Sequence, residues 1–590
     1  MMNTFAQDHT LPSLPVPDLA ATCEAALALA APLVDAGTLA ATRAAVEELA
    51  RPDGPGERLQ ALLLEHKASL GGNASWLRPL WDDMYLAWRD PLPVNMNYCF
   101  RFAAERWGGG RALPRLVRAL TETALLLRDQ SLPPEETRAG VLAMDQARSC
   151  LYTRIPGTGA DRLLAADLAG PLTAAVVCGG HWFILPLAYA DGTPASEEAL
   201  QNAFAAIRRE AAGMRSLFPS SMPSPAAMTA APRAEAAALR AALQRDMQNR
   251  LSLAALEKSL FVVCLDPPHE SDDSFMHSLL CGPAASRWFD KSLQIVCSEN
   301  GGLGANFEHA GCDAAIWLYL LGLCDKRVLA RDSEEERAAA EAAPVFRPLR
   351  WRIEGDTASR LEAVADDFAR RCASVDLCCR DFAEYSREGL KSLGTSPDAF
   401  LQVGFQAAQY RIFGRLRSAY EAVAVRGFAG GRTECARPCT AEAGAFAEAL
   451  GSAPAEEQLR RYRQAEDAHK AALRRCQQGL GAERHLTGLA AMFQLYKDTH
   501  GLAQAPALFR DPGWLTVRHD ALSTSGIGAP FIRFFGFGPV VEDGYGVGYA
   551  PGPDATGLVV TSFRGKAEPS GVFAAAFAEC AASTALLLKQ

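Results

Sequence analysis

Apolar positions in the first 150 residues recur at helical spacing. Residues 19–39 are alanine-rich and periodic, and residues 113–127 and 135–151 place apolar side chains every three or four positions, which predicts helices. The texture changes near Pro171. Residues 174–178 and 181–187 are short runs of β-branched, aromatic and aliphatic side chains joined by Gly179-Gly180, the pattern of two strands and a tight turn. Residues 196–214 return to the helical period, whereas 258–265 and 291–298 are short apolar runs between turn signals and read as buried strands. The stretch DSEEERAAAEAAP, from Asp332 to Pro344, reads as a solvated helix face or linker. A strand is expected at 348–353, followed by long helices to about Leu450. This places a domain boundary between residues 350 and 351, giving units 1–350 and 351–590. From Phe531 onward glycine alternates with aromatic and β-branched residues, which predicts strands, closed by a helix from Gly571. No internal repeat is visible. The mixture implies an α/β (or α+β) fold with layers of similar size.

Composition narrows the function. Lys+Arg 59 against Asp+Glu 68 gives a net charge of −9, unsuited to gripping a phosphate backbone, so no nucleic-acid partner is expected. Hydrophobic residues at 49% with 22% charged exclude disordered and collagen-like classes. Sixteen cysteines in 590 residues are too dilute for a disulfide scaffold, and Cys435 and Cys439 form a lone C-x3-C, so reduced thiols are expected. The start, MMNTFAQDHT, lacks a basic-then-apolar leader pattern. Glu24 and Asp35 interrupt residues 20–39, and Asp325 ends the run 314–324, so no membrane-spanning segment and a cytoplasmic location are expected.

Local chemistry concentrates at Glu308-His309-Ala310-Gly311-Cys312-Asp313, placed after a predicted strand and the glycines 301, 302 and 304, at the start of an apolar helix. A histidine at a helix N-terminus is favoured in its neutral, proton-accepting form, and Asp313, four residues on, would share its helix face and orient the ring. A capping histidine with a structural role fits the same spacing. The glycines match neither a dinucleotide fingerprint nor a P-loop. Ser523-Thr524-Ser525-Gly526 could donate to an oxyanion or simply form a turn. Arg387 and Lys391, near the Ser396-Pro397-Asp398 turn, could hold a phosphate or be solvated cations. His269, Glu270, Asp272 and Asp273 lack paired histidine spacing and read as a solvated loop, and no metal site is expected. The isolated His66, His181 and His469 carry no chemical signal.

Several blocks acquire meaning from their order. Leu11-Pro12-Ser13-Leu14-Pro15-Val16-Pro17 is followed by Thr153-Arg154-Ile155-Pro156-Gly157 and by Arg287-Trp288-Phe289-Asp290-Lys291-Ser292-Leu293, which leads into Glu308-His309. Ser396-Pro397-Asp398-Ala399-Phe400, Tyr420-Glu421, Gly431-Arg432-Thr433, Ser523-Thr524-Ser525, Phe537-Gly538-Pro539-Val540-Val541 and Asp543-Gly544-Tyr545-Gly546 come after it. In this order, over nearly the whole chain, they resemble the motifs of the choline/carnitine O-acyltransferase family.

The resemblance implies two chloramphenicol-acetyltransferase-like domains, each a mixed sheet flanked by helices, with an active-site tunnel at their interface. Acyl-CoA, a co-substrate rather than a permanently bound cofactor, would enter from one side and a hydroxylated ammonium acceptor from the other. It makes His309 the general base of a direct transfer, with Asp313 beside it and Ser525 donating to the oxyanion. Arg387 and Lys391 fall where the family places cations for the CoA 3′-phosphate, though an Arg stands where Lys is usual. Ser396 belongs to the same CoA-binding segment, and Asp398 falls at the adenine end. Tyr420, Thr433 and Arg484 match the carnitine-type members, Ser523 would face the acceptor carboxylate, and Phe537 would pack on the ammonium methyl groups. Phe535 stands where long-chain members carry glycine, which implies a closed acyl pocket and a short acyl group. Departures are Ala422 for the family's Ser, Gly526 for a common Gln, which also occurs in medium-chain members, and Asp313 for the Glu of acetyl enzymes. Choline or another alcohol as acceptor, a medium acyl chain, and a non-catalytic acyl-CoA-binding relative are the alternatives. A monomer is the expected state.

Overall fold

The computed structural model describes residues 3–217, 223–332, 343–500, 502 and 504–590. Most of the acidic stretch expected to be a linker, positions 333–342, lies outside the described residues. Two sheets dominate. The strands of the first, in chain order, are β1 (Tyr98–Phe102), β2 (Thr173–Cys178), β3 (His181–Pro186), β4 (Val262–Asp266), β5 (Leu293–Ser298), β6 (Leu303–Phe307) and β7 (Arg347–Pro348). The second half contributes β8 (Val375–Phe382), β9 (Ala419–Ala424), β10 (Thr433–Ala436), β11 (Leu522–Gly526), β12 (Ile532–Phe537), β13 (Tyr545–Pro551) and β14 (Thr556–Phe563). The eight-stranded sheet runs β7-β3-β2-β4-β5-β6-β1-β12 and the six-stranded sheet β8-β14-β13-β11-β9-β10, each mixed and flanked by helices. The architecture is therefore α/β with two sheets.

Sheet membership does not divide at residue 350. β12 crosses from the second half and pairs antiparallel with β1, Phe535 opposite Phe100 and Phe537 opposite Tyr98. The alternating glycines explain how it gets there. A Cβ at Gly548 would lie 2.1 Å from the Phe535 carbonyl oxygen, and one at Gly557 would lie 2.0 Å from that of Arg533. Only bare backbone on β13 and β14 lets β12 lie across them. The N-terminal helices cross in the other direction. Leu19, Leu49, Leu63 and Trp76 share a core with Leu486, Leu489, Met492 and Trp514. His485 ties them together, accepting from the Thr22 hydroxyl at 2.7 Å and contacting Gln60 Oε1 at 2.6 Å.

The hairpin β2–β3 turns at Gly179 and Gly180, both at positive φ, as the pattern predicts. The helices Ala112–Arg128 and Glu197–Leu217 also match their periodicity. Residues 19–39 are not one helix: Leu19–Ala30 ends before Pro32, and Ala36–Ala50 restarts where the Asp35 carboxylate accepts from the Thr38 amide. The stretch 135–151 forms a tiny ribbon, Glu136–Thr137 with Gly140–Val141, and a 3-10 turn at Asp145–Ser149. Its buried apolar positions pack in irregular chain, so the period misleads. Of the strand expected at 348–353 only Arg347–Pro348 pairs. β8, β9 and β10 lie where long helices were expected, because β9 and β10 bury Glu421 and Glu434 and are poor in β-branched residues. Ser570–Leu588, expected as a closing helix from Gly571, is, among the described residues, long and apolar enough to cross a membrane by length and composition. Its Phe573, Phe577 and Cys580 pack in the core of the second sheet with Phe405. None of the sixteen cysteines is joined in a disulfide.

Candidate active site

A cavity of ≈ 380 Å³ opens between the sheets, lined by His309, Tyr420, Arg484, Ser523, Ser525, Phe535 and Phe537, together with Trp81, Tyr85 and Tyr98. Thus residues separated by more than 450 positions meet because β12 sits beside β1 and β6 ends at the same level.

His309 follows β6 by two residues and precedes the helix Ala314–Asp332 by five, so it lies in a loop rather than at the helix start. The helix-dipole argument therefore does not apply, and Asp313 is the last residue before the helix, not a partner on its face. The loop nevertheless brings His309 Nδ1 within 3.7 Å of Asp313 Oδ1, beyond hydrogen-bond range, and Nδ1 finds no hydrogen-bond partner among the described residues. Burial holds the imidazole pKa below its ordinary 6.5; Asp313 opposes this shift, and Arg432 reinforces it. The ring is 28% exposed, on the cavity side, with Tyr85 and Tyr98 at centroid distances of 5.4 and 5.1 Å. It is a neutral base at neutral pH, in reach of a ligand in the cavity.

The loop itself is held from both ends. Arg154 Nη1 donates to Glu308 Oε1 at 2.9 Å, and its Nη2 donates to the Tyr85 carbonyl at 2.6 Å. The Tyr152 hydroxyl donates to Glu308 Oε2 and accepts from the Gly311 amide at 2.9 Å. A Cβ on Gly311 would lie 2.4 Å from the Tyr152 ring, so glycine is required there. Arg432 donates to the carbonyls of His309 (3.0 Å) and Ala310 (2.7 Å) and to Asp313 (2.8 Å). Gln146 adds a bond to Asp313 at 3.2 Å. Burial pushes the Asp313 carboxyl up, but Arg432 outweighs it and holds the pKa below the ordinary value. The sequence reading gave none of Tyr152, Arg154, Gln146 or Arg432 a role in the site; three of them stand in or beside the motif blocks, the only signal available.

On β11, Ser523 and Ser525 share one face by the period of two and turn to the cavity, while the Thr524 hydroxyl bonds the Tyr420 carbonyl at 2.7 Å. Arg484, 6% exposed, donates from Nη2 to the Tyr420 hydroxyl (3.0 Å) and from Nε to the Thr433 carbonyl (3.3 Å), with its guanidinium carbon 4.1 Å from the centre of the Trp81 ring. Thr433 does not line the cavity and serves Arg484 through its backbone. Phe535 packs edge-on against Tyr98 and Phe100 and, at 5.4 Å, against Phe537.

The expected CoA residues gather elsewhere, on the short helix Arg387–Ser392 and at the start of Pro397–Phe413, and none lines this cavity. Lys391, 54% exposed, pairs with Glu388 of its own helix at 2.8 Å and with no other acid among the described residues. The Arg387 guanidinium covers Gly528, where a Cβ would lie 2.1 Å from Nη2. Ser396 caps its helix by accepting from the Ala399 amide. Asp398 accepts from the Tyr549 hydroxyl at 2.7 Å and meets His469 Nε2 at 2.9 Å. His469, read as carrying no signal, is thus part of a buried cluster with Asp398 and Glu421, whose ligand-type atoms lie within 4.8 Å of one another. Burial, then the neighbouring Asp398, pushes the Glu421 carboxyl well up; Asp398 is drawn below its ordinary value by His469 and Tyr549 despite burial.

The family model for "Choline/Carnitine o-acyltransferase" matches residues 14–579. The chain belongs to the choline/carnitine O-acyltransferase family. Choline O-acetyltransferase of Danio rerio is 31% identical over 95% of this chain and 90% of its own length, and carnitine O-acetyltransferase of Mus musculus 29% over 97% and 92%. Among solved structures, the first condensation domain of the calcium-dependent antibiotic synthetase covers 87% of this chain and 95% of its own at 11% identity, with a TM-score of 0.35.

Acyltransferases of the choline/carnitine family exchange an acyl group between CoA and a hydroxyl. This cavity has what such a transfer requires: a neutral imidazole, hydroxyl donors on a facing strand, and a wall of aromatic rings.

Proposed function

We propose that the chain transfers a short acyl group reversibly between CoA and the hydroxyl of carnitine. His309 takes the acceptor's hydroxyl proton as that oxygen attacks the thioester carbonyl. Ser525 donates to the oxyanion of the tetrahedral intermediate. Collapse breaks the carbon–sulfur bond, and the CoA thiolate recovers the proton from the imidazolium. No acyl-enzyme forms.

The observation that carries the acceptor assignment is the charge balance around Arg484. Its neighbour Arg437 pairs with Glu483 at 3.1 Å and with Asp520, and Arg518 reaches Glu483 at 3.4 Å. Arg484 alone of these three has no carboxylate within 4 Å among the described residues. Glu434, below it, accepts from its amide, and burial pushes that carboxyl up to about 7, so it compensates poorly. A buried guanidinium without a carboxylate partner beside the cavity is costly unless a ligand brings an anion, and a carboxylate can accept two of its three remaining N–H donors. Carnitine has one; choline, a plain cation, does not.

A short acyl group is favoured by Phe535, 3% exposed and clasped by Tyr98 and Phe100. Gly526, the departure shared with medium-chain members, has another explanation. A Cβ there would lie 2.4 Å from the Tyr549 ring, so the space glycine leaves is already filled.

The test is CoA release from acetyl-CoA with L-carnitine, with choline, or with no acceptor. Carnitine-dependent release is expected. Replacing Arg484→Gln should raise the carnitine KM by about 30-fold or more, since losing one partner of a buried charged pair costs about 2–5 kcal/mol. Choline-dependent release that survives the substitution would make choline the acceptor. A series of longer acyl-CoAs, with Phe535→Gly, tests the pocket.

A further inference from the structure

The acceptor cavity does not end at Arg484. A second cavity, of ≈ 280 Å³, adjoins it, and the two share Thr487 and Arg518 in their walls. It lies between the helices Ala482–Tyr496 and Pro512–Arg518 and the turn Ala507–Arg510. Its cations are Arg510 and Arg518; no carboxylate lines it among the described residues. Arg510 bonds only the Ala505 carbonyl, at 3.3 Å, and pairs with no acid among the described residues. Arg518 leans from the shared wall toward Glu483, at 3.4 Å, which Arg437 already engages. Gln494 adds an amide, and the remaining wall includes the aromatic side chains of Phe509 and buried Trp514.

We propose that this cavity is an outer binding site for a small zwitterion carrying a carboxylate and a methylated ammonium, held before it moves inward to Arg484. Arg510, which pairs with no acid among the described residues, and Arg518, whose partner Glu483 is shared with Arg437, supply the anion site, and the aromatic faces suit methylammonium groups. The shared Arg518 lets the carboxylate pass from one cation to the next without losing a partner, which lowers the cost of dehydrating it during transfer. Arg518 is thus a relay between two seats, and Arg510 the outermost contact. The inference rests on the carnitine reading of the inner site, and the experiment separates the two.

Titration calorimetry with L-carnitine is performed on the full chain and on Arg484→Gln, Arg510→Gln and the double variant. Arg510 is exposed, so its loss should not disturb folding. In the full chain, a tight and a weak binding event are expected. Arg484→Gln should remove the tight one and leave the weak one; the double variant should bind nothing. In steady-state assays Arg510→Gln should raise the carnitine KM about three- to tenfold, more at low salt than at high, with kcat within about twofold, as for other steering charges at a binding rim. A single event abolished by Arg484→Gln, with Arg510→Gln silent, overturns the outer site and leaves the inner reading intact. No carnitine binding to the full chain at all would instead bring down the inner reading.

Discussion

The loop carrying His309 and the short helix carrying Arg387 and Lys391 are built on opposite principles. The acids and two carbonyls of the loop are all engaged: Glu308 by Arg154 and Tyr152, Asp313 by Arg432 and Gln146, and the His309 and Ala310 carbonyls by Arg432. Lys391 stands in solvent with one neighbour on its own helix. Chemistry tolerates little misplacement, because proton transfer needs a base within hydrogen-bond reach of both oxygen and sulfur. A cation meeting a flexible phosphate works from many positions, because Coulomb attraction falls off slowly with distance. The same chain invests buried charge around His309 and leaves Lys391 loose in solvent, as the proposed roles of base and phosphate contact would require.

The contrast can be broken at several points. The largest effect is expected for His309→Ala: turnover should fall by roughly 10²–10⁴-fold, the usual worth of a positioned general base, while CoA binding by calorimetry is retained. In the unaltered enzyme the base acts when neutral, so its rate should be flat above its pKa and fall as pH drops through it. Since burial places that pKa below 6.5, the acid limb of kcat/KM should be centred below 6.5; a midpoint above 6.5 would deny the buried-base picture. Ser525→Ala should lower kcat by about 10²-fold, with little change in either KM, as for loss of one oxyanion donor. An unchanged kcat would move that role to another group.

Tyr152→Phe tests the bracing itself. It deprives Glu308 of a donor and the Gly311 amide of its acceptor, about 1–3 kcal/mol of unmet hydrogen bonding within the loop. The expected result is a kcat lowered about tenfold with an unchanged KM for acyl-CoA, together with a displaced acid limb. A stability loss with an unaltered pH profile would make the tyrosine structural only. Lys391→Ala is the mildest: a KM for acyl-CoA raised about three- to fivefold, vanishing at high salt, with kcat unmoved.

Much of the site is visible in the chain because its motifs are contiguous. Glu308 to Asp313, Ser523 to Ser525 and Glu483-Arg484 are short runs in which strand periodicity or loop length decides what neighbours do. His469 shows the limit. Isolated in the sequence, it meets Asp398 across 71 positions, and no local pattern encodes such a meeting. The helical period at 135–151 misled for a related reason: burial in irregular chain can imitate a helix face, and only packing distinguishes them. Conversely, the glycine-rich stretch after Phe531 was legible as strands, though not as strands of two different sheets.

By itself, then, the sequence determined the alternation of helices and strands in most of the first half, the motif order that marks the family, and the chemical types present at the site. Those follow from local sterics, hydrophobic period and the reactivity of individual side chains. Tertiary structure alone decided that β12 joins the sheet of the other half, that Asp313 answers to Arg432 more than to His309, and that Arg484 is left without an acid. Each of these is a matter of which groups become neighbours when water is excluded, and burial is what turns a nearby charge into a shifted pKa and makes a cation without a partner costly.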